Sequence, residues 1–234
     1  MRRSPSQEEG KLLMRLLSDS IGRKVVMAIT GLLMVLFVVG HLLGNLSIFA
    51  GANGINTYAE KLHSMPAVVW ATRLVMLVAV LFHLVLSIQL TLENRAANPN
   101  AYAVDRRLRT TFAGKNMIWT GLWLGAFIIL HLFHFTIRSF PGMVLVQDAL
   151  GRFDVFAMVA DAFGHLFTVV AYVISMVMLY LHLSHGIQST FQSLGLNNPK
   201  TMPGFVKFGG ALSVIFLLGY GAIPVAILIG LIAK

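Results

Sequence analysis

Residues 24–49 read KVVMAITGLLMVLFVVGHLLGNLSIF. After Lys24 these 26 residues carry no Asp, Glu, Lys or Arg. About 20 consecutive apolar residues suffice to cross the hydrocarbon core of a bilayer, so the stretch predicts a membrane span. It holds one residue foreign to lipid, His41. An ionisable side chain inside a span is costly and by default marks a functional site. The reading of the chain turns on what His41 is bonded to.

Working outward, span one covers about 24–50, and four more apolar runs follow at about 68–92, 116–140, 156–194 and 204–233. The fold class is all-α integral membrane, with five transmembrane helices and the first four forming a bundle. Residues 1–23 form a polar, basic arm with a short amphipathic Leu12, Leu13, Leu16, Leu17 stretch, and 24–234 form the membrane domain. The arm reads as uncleaved, because the first span is too long for a signal core and no small-residue cleavage site follows it. A Gly/Asn-rich connector, 51–54, leads to a short interfacial helix over 56–66. Asn98-Pro99-Asn100 marks a turn, Pro141-Gly142 stops span three, and Pro224 predicts a kink in span five. No internal repeat stands out. Lys and Arg concentrate before span one, after span two and after span four. The positive-inside rule then places the N-terminus in the cytoplasm, in a cell inner (cytoplasmic) membrane.

Composition narrows the chemistry. Of 234 residues 57% are hydrophobic and 12% charged, with a mean hydropathy of +0.78. A soluble domain has about 25% charged residues. The net charge of +9 sits beside apolar runs, as topology requires, so nucleic acid is not the expected partner. The absence of cysteine excludes disulfides, thiolate metal sites, iron–sulfur ligation by this chain and covalent c-type haem.

The histidines form a constellation. His41, His83, His131 (with His134) and His182 (with His185) each fall late in one of the first four spans. At about 1.5 Å rise per residue, His41 and His131 lie roughly 24 and 21 Å from the inner side, while His83 and His182 lie roughly 12 Å from it. Two layers result: His41 with His131 or His134, and His83 with His182. Two neutral imidazoles on opposite faces of a porphyrin iron leave no open position and suit electron transfer. Gly40, Gly44 and Gly186 beside these histidines are expected to let a flat macrocycle approach. The competing readings are interhelical hydrogen bonding and a proton relay or proton-coupled transporter. The relay lacks deep acidic partners in spans one to three.

At these residues the chain resembles a known family, the dihaem cytochrome b (b558-type) membrane anchor of succinate:quinone oxidoreductase and fumarate reductase. The resemblance runs from about residue 18 to the end. It rests on Ser20-Ile-Gly-Arg-Lys-Val-Val-Met-Ala-Ile-Thr-Gly, His41-Leu-Leu-Gly-Asn-Leu, Asn56-Thr-Tyr-Ala, Leu90-Thr-Leu-Glu-Asn-Arg and Leu181-His-Leu-Ser-His-Gly-Ile-Gln-Ser. It implies two haems b: His83 with His182 at the inner haem, His41 with His131 at the outer, and His134 and His185 as alternates. It implies an oxidoreductase subunit of succinate dehydrogenase, respiratory complex II, linking the tricarboxylic acid cycle to electron transport. This chain would carry no dicarboxylate site. Electrons would pass between an iron–sulfur subunit and a membrane quinone, with menaquinone the common one in the family, and a flavoprotein would complete the complex. A higher oligomer of the complex stays open. The runner-up is the cytochrome b of another quinone-linked complex.

A quinone site needs acid–base groups reachable from lipid. Outer-side candidates are Glu60, His63 and His165, and an inner site would use Ser20, Arg23 or Lys24. Arg73 and Arg138 are expected to meet haem propionates or to snorkel, with Asp161 as a partner for one of them. The basic arm and Arg106-Arg107-Leu108-Arg109 are expected to face the iron–sulfur subunit.

Overall fold

Long apolar runs of this length leave the backbone one solution in lipid, the helix. The computed structural model, which describes residues 18–97 and 111–232, follows that rule. Helix α1 spans Ser20–Leu46 and continues through a 3-10 turn, Ser47–Ala50, into α2, Gly51–His63. Helix α3 spans Pro66–Ala96, with Pro66 in its first turn, where a missing N–H costs nothing. A single turn, α4 (Phe112–Lys115), is capped by the Thr111 hydroxyl and precedes α5, Met117–His131. A π-helical turn, Leu132–Thr136, extends α5. Then come α6, Val155–Ala162, α7, Leu166–Ser193, and α8, Met202–Leu228. No strand forms among the described residues. The arm residues 1–17, with Leu12 to Leu17, the Asn98-Pro99-Asn100 turn and the Arg106–Arg109 cluster lie outside the described residues.

Five helical segments are long and apolar enough to cross a membrane: α1 with its extension, α3, α5 with its π turn, α7 and α8. Large apolar side chains such as Leu74, Leu77, Leu81 and Val85 on α3 are exposed over one face, a surface that suits lipid. Helices α1, α3, α5 and α7 close a ring in which each packs on the next and α7 returns to α1. Helix α8 lies outside this ring against α7 and α1. There Phe216 and Leu42 are buried with Leu183, and the Tyr220 hydroxyl donates to the Val38 carbonyl at 2.7 Å. At the end where α1 begins, Arg23 holds Glu93 through both guanidinium nitrogens and ties α1 to α3. We call this the arm end and the opposite one the cap end.

Two elements differ from the sequence reading. The 51–54 connector is helical, absorbed into α2 after Gly51 takes φ 79. Span four is not one helix. It breaks at Phe163-Gly164-His165, where Phe163 turns into the core against Tyr172 (ring centres 5.0 Å apart) and His165 becomes extended. Pro224 lies inside α8, as the sequence places it in span five.

The cap end is closed by a polar clasp. Asn56 on α2 is 1% exposed. Its amide nitrogen donates to Asp148 (3.2 Å) and Asp154 (3.0 Å), and its oxygen accepts the Phe156 N–H. Arg152 binds Asp148, Thr57 and Asn53. The Arg152 guanidinium beside it, with backbone N–H donors, pulls the Asp148 carboxyl down to about 2. A depressed folded value contributes stability above the unfolded value and loses it as pH falls through the folded one. Amide-exchange protection factors in residues 147–154, which correct for the intrinsic pH dependence of exchange, are therefore expected to stay constant from pH 7 to about 4. They are expected to fall only as the pH approaches about 2.

Candidate functional site

Ring closure decides which histidines meet. Neighbouring helices pack side by side, while the diagonal partners, α1 with α5 and α3 with α7, face each other across the axis. His41 on α1 and His131 on α5 have ring centres 5.8 Å apart. His83 on α3 and His182 on α7 are 6.3 Å apart. Each pair therefore joins a diagonal.

The arm-side pair is held alike on both sides. The His83 Nδ1 bonds the Met27 carbonyl at 3.0 Å and lies 3.4 Å from the Thr30 hydroxyl. The His182 Nδ1 lies 3.1 Å from the Thr120 hydroxyl and faces the Met117 carbonyl. A Cβ on Gly31 would come within 3.2 Å of the His83 ring, and one on Gly121 within 3.2 Å of the His182 ring. Both glycines are therefore seats for imidazoles. Among the described residues Nε2 of His83 and of His182 accepts no hydrogen bond.

The cap-side pair is held differently. His131 Nδ1 lies 3.4 Å from the Tyr172 hydroxyl, and aromatic rings of Phe127, Phe135 and Tyr172 surround it. His41 stacks on Phe37, with the Asn45 amide against its ring nitrogens. Contacts measure the separation of the layers. Thr30 to His41 on α1 and Thr120 to His131 on α5 are each eleven residues, roughly 16 Å of helix. Counting from presumed span ends makes it roughly 9–12 Å, because those ends are not level.

The alternates do other work. His134, on the π turn, is buried, stacks on Phe135 at 4.2 Å and has its Nδ1 3.2 Å from the Tyr172 hydroxyl. His185 contacts Gln188 and covers Gly114 on α4. Gly44 is filled by the Tyr58 ring, so it seats no ligand, whereas Gly40 faces open space and Gly186 meets only Met117.

The acid–base candidates scatter. Glu60 is exposed and sits 3.9 Å from Arg152. His63 is exposed and bonds the Ala59 carbonyl. Ser20 is exposed at the start of α1, beside exposed Lys24, and Arg23 is engaged by Glu93. His165 joins a concave site. With His134, Phe140, Met143, Met158, Asp161 and Thr168 it lines a cleft of about 180 Å³ at the cap end. Arg73 lies over Trp70 and Arg138 over Phe153, and among the described residues neither pairs with Asp161. Arg138 has φ 59, and its buried Nε has no hydrogen-bond partner.

No group of three or more His, Cys, Asp or Glu able to hold a metal gathers among the described residues. A zinc site takes three or four protein ligands, so paired imidazoles favour a metal whose other ligands arrive with it. Comparison with known protein families, curated proteins and solved structures finds no match.

Proposed function

We propose that the chain is the dihaem cytochrome b anchor of a succinate:quinone oxidoreductase, an oxidoreductase subunit that passes electrons between an iron–sulfur partner and a membrane quinone. The observation that carries the haem reading is the pairing of imidazoles across both diagonals. Two imidazoles on opposite faces of one iron, each nitrogen at about 2 Å, have ring centres about 6 Å apart. The observed 5.8 and 6.3 Å fit that spacing. A ligating imidazole offers Nε2 when its Nδ1–H is held by an oxygen, the arrangement at His83 and His182. The four-helix ring supplies an apolar sleeve, and the unsatisfied Arg138 Nε supplies a cation near the cap-side layer. When bound, the haems supply reversible one-electron transfer. The assignment to succinate dehydrogenase rests on the motif resemblance, and the cytoplasmic position of the arm end on the positive-inside pattern.

A reduced-minus-oxidised spectrum with pyridine haemochrome quantitation tests the reading on the purified chain. Two haems b per chain are expected, and a chain free of haem would overturn it in favour of a transporter or a bare anchor.

Reduction of a quinone takes two electrons and two protons. The cap-end cleft suits its head group better than the other candidates. Its space is below the roughly 300–1,000 Å³ that encloses a whole drug-sized ligand, so only a head group enters and a tail stays in lipid. With Nε2 of His131 reserved for iron, its Nδ1–H donates to Tyr172, whose hydroxyl donates to His134 Nδ1. The His134 Nε2–H is then free to bond a carbonyl oxygen, with His165 and Asp161 as routes for protons. Photolabelling with an azido-naphthoquinone is expected to mark peptides containing Phe140–Met143 or Met158–Thr168. Label confined to Glu60–His63 or Ser20–Lys24 would move the site.

A further inference from the structure

The arm-side contacts expose a duplication. Residues 27–41, MAITGLLMVLFVVGH, and 117–131, MIWTGLWLGAFIILH, share Met, Thr, Gly, Leu, Phe and His at the same places. Residues 83–91, HLVLSIQLT, and 182–190, HLSHGIQST, share His, Leu, Ile, Gln and Thr. The first pair belongs to α1 and α5, the second to α3 and α7. The likeness is weak as text, because apolar substitutions hide it, but the shared residues perform the same contacts. Thr30 and Thr120 meet His83 and His182, Gly31 and Gly121 seat the same rings, and Phe37 and Phe127 lie against His41 and His131.

The track has a physical logic. In a helix the carbonyl of residue i is crowded by the side chain at i+4. Gly31 stands four after Met27, and Gly121 four after Met117, so each leaves that carbonyl open to an imidazole from the adjacent helix. The threonine one place earlier spends its hydroxyl proton on its own helix: Thr30 bonds Val26 and Met27, Thr120 bonds Asn116 and Met117. Its lone pair therefore faces the histidine as an acceptor and holds the proton on Nδ1.

We infer that the four-helix ring is a pseudo-twofold pair of helical hairpins, α1–α3 and α5–α7, in which each Met-x-x-Thr-Gly track positions the histidine of its own hairpin. Thr30 and Thr120 are positioning residues that keep Nε2 of His83 and His182 turned to the axis. The arm-side centre is symmetric, with both ligands held by one device. The cap-side centre is not: the His131 Nδ1 meets the Tyr172 hydroxyl, whereas the Tyr220 ring lies 6.0 Å from the His41 ring and gives its hydroxyl to the Val38 carbonyl. The difference follows the insertion: His41 to His83 is 42 residues and His131 to His182 is 51, and the longer connection carries α6 and the cleft.

The inference rests on the haem reading, and its test separates the two. Thr30→Val and Thr120→Val remove the hydroxyl acceptor at nearly constant volume and leave each Nδ1–H only the main-chain carbonyl of Met27 or Met117, which lowers the electron donation of the imidazole. Each is expected to raise the midpoint potential of one haem and shift its low-spin electron paramagnetic resonance signal, leaving the other haem unchanged. Thr120→Ser should restore both properties. Gly121→Val, which fills the imidazole seat, should lower arm-side haem content at least several-fold, whereas Gly204→Val, in open space on α8 outside the ring, should keep both haems. Two haems in the wild type with neither valine variant altering potential or signal would overturn the positioning role while the haem reading stands. Absence of haem from the wild type would overturn both.

Discussion

Alanine at His83 is expected to lower the haemochrome count from about two to about one haem b per chain. His182→Ala should do the same, and the double variant should lose nothing further. The reason is the shared diagonal: the two rings face each other at 6.3 Å, and under the proposed haem reading removing either leaves the iron one protein ligand instead of two. His41→Ala and His131→Ala should remove the other haem. His134→Ala and His185→Ala are the controls and should retain both, because these rings contact Tyr172 and Gln188 and not an opposing imidazole. The rival outcome is distinct. If His83 only bonds across helices to Met27, its removal costs about 0.6–2 kcal/mol of stability and changes no spectrum. A full haem complement in His83→Ala would therefore sink the arm-side centre.

Much of this arrangement was legible from residue order. Five spans follow from five long apolar runs, because a bilayer accepts only helices of that length. The two layers follow from histidine depth, since helical rise is nearly constant. The choice of His131 over His134 is a matter of azimuth. The π turn adds a residue per turn and swings His134 toward Tyr172, and nothing in Leu132–Thr136 announces such a turn. Gly31 and Gly121 were equally hidden. A glycine in an apolar helix is ordinarily a helix-packing residue, and only the opposing ring shows it to be the seat of an imidazole. The break at Phe163–His165 is decided by Phe163 packing on Tyr172, a contact with no counterpart in local hydropathy.

The cap clasp carries the second large effect. Asn56→Asp is nearly isosteric, yet it replaces the donor shared by Asp148 and Asp154 with a third carboxylate at a position 1% exposed. A buried charge without a partner costs about 3–5 kcal/mol, so detergent-solubilised Asn56→Asp should melt well below wild type at pH 7. Asn56→Ala also loses the donors but adds no charge, and about 1–3 kcal/mol is expected. The two variants separate by pH. The introduced carboxyl has a raised folded pKa, so its penalty is largest above that value and shrinks as pH falls through it. Acidification from pH 7 to about 4 should therefore narrow the deficit of Asn56→Asp and leave that of Asn56→Ala unchanged. Asp148 stays ionised over this range, because Arg152 holds it at about 2. Equal deficits at both pH values would mean that the Asn56 amide fills space without satisfying the two carboxylates. The clasp also joins α2 to the start of α6, the helix that forms one wall of the cleft. Asn56→Asp should consequently lose azido-naphthoquinone labelling at pH 7 before it loses haem from the arm-side pair, which lies at the other end of the ring.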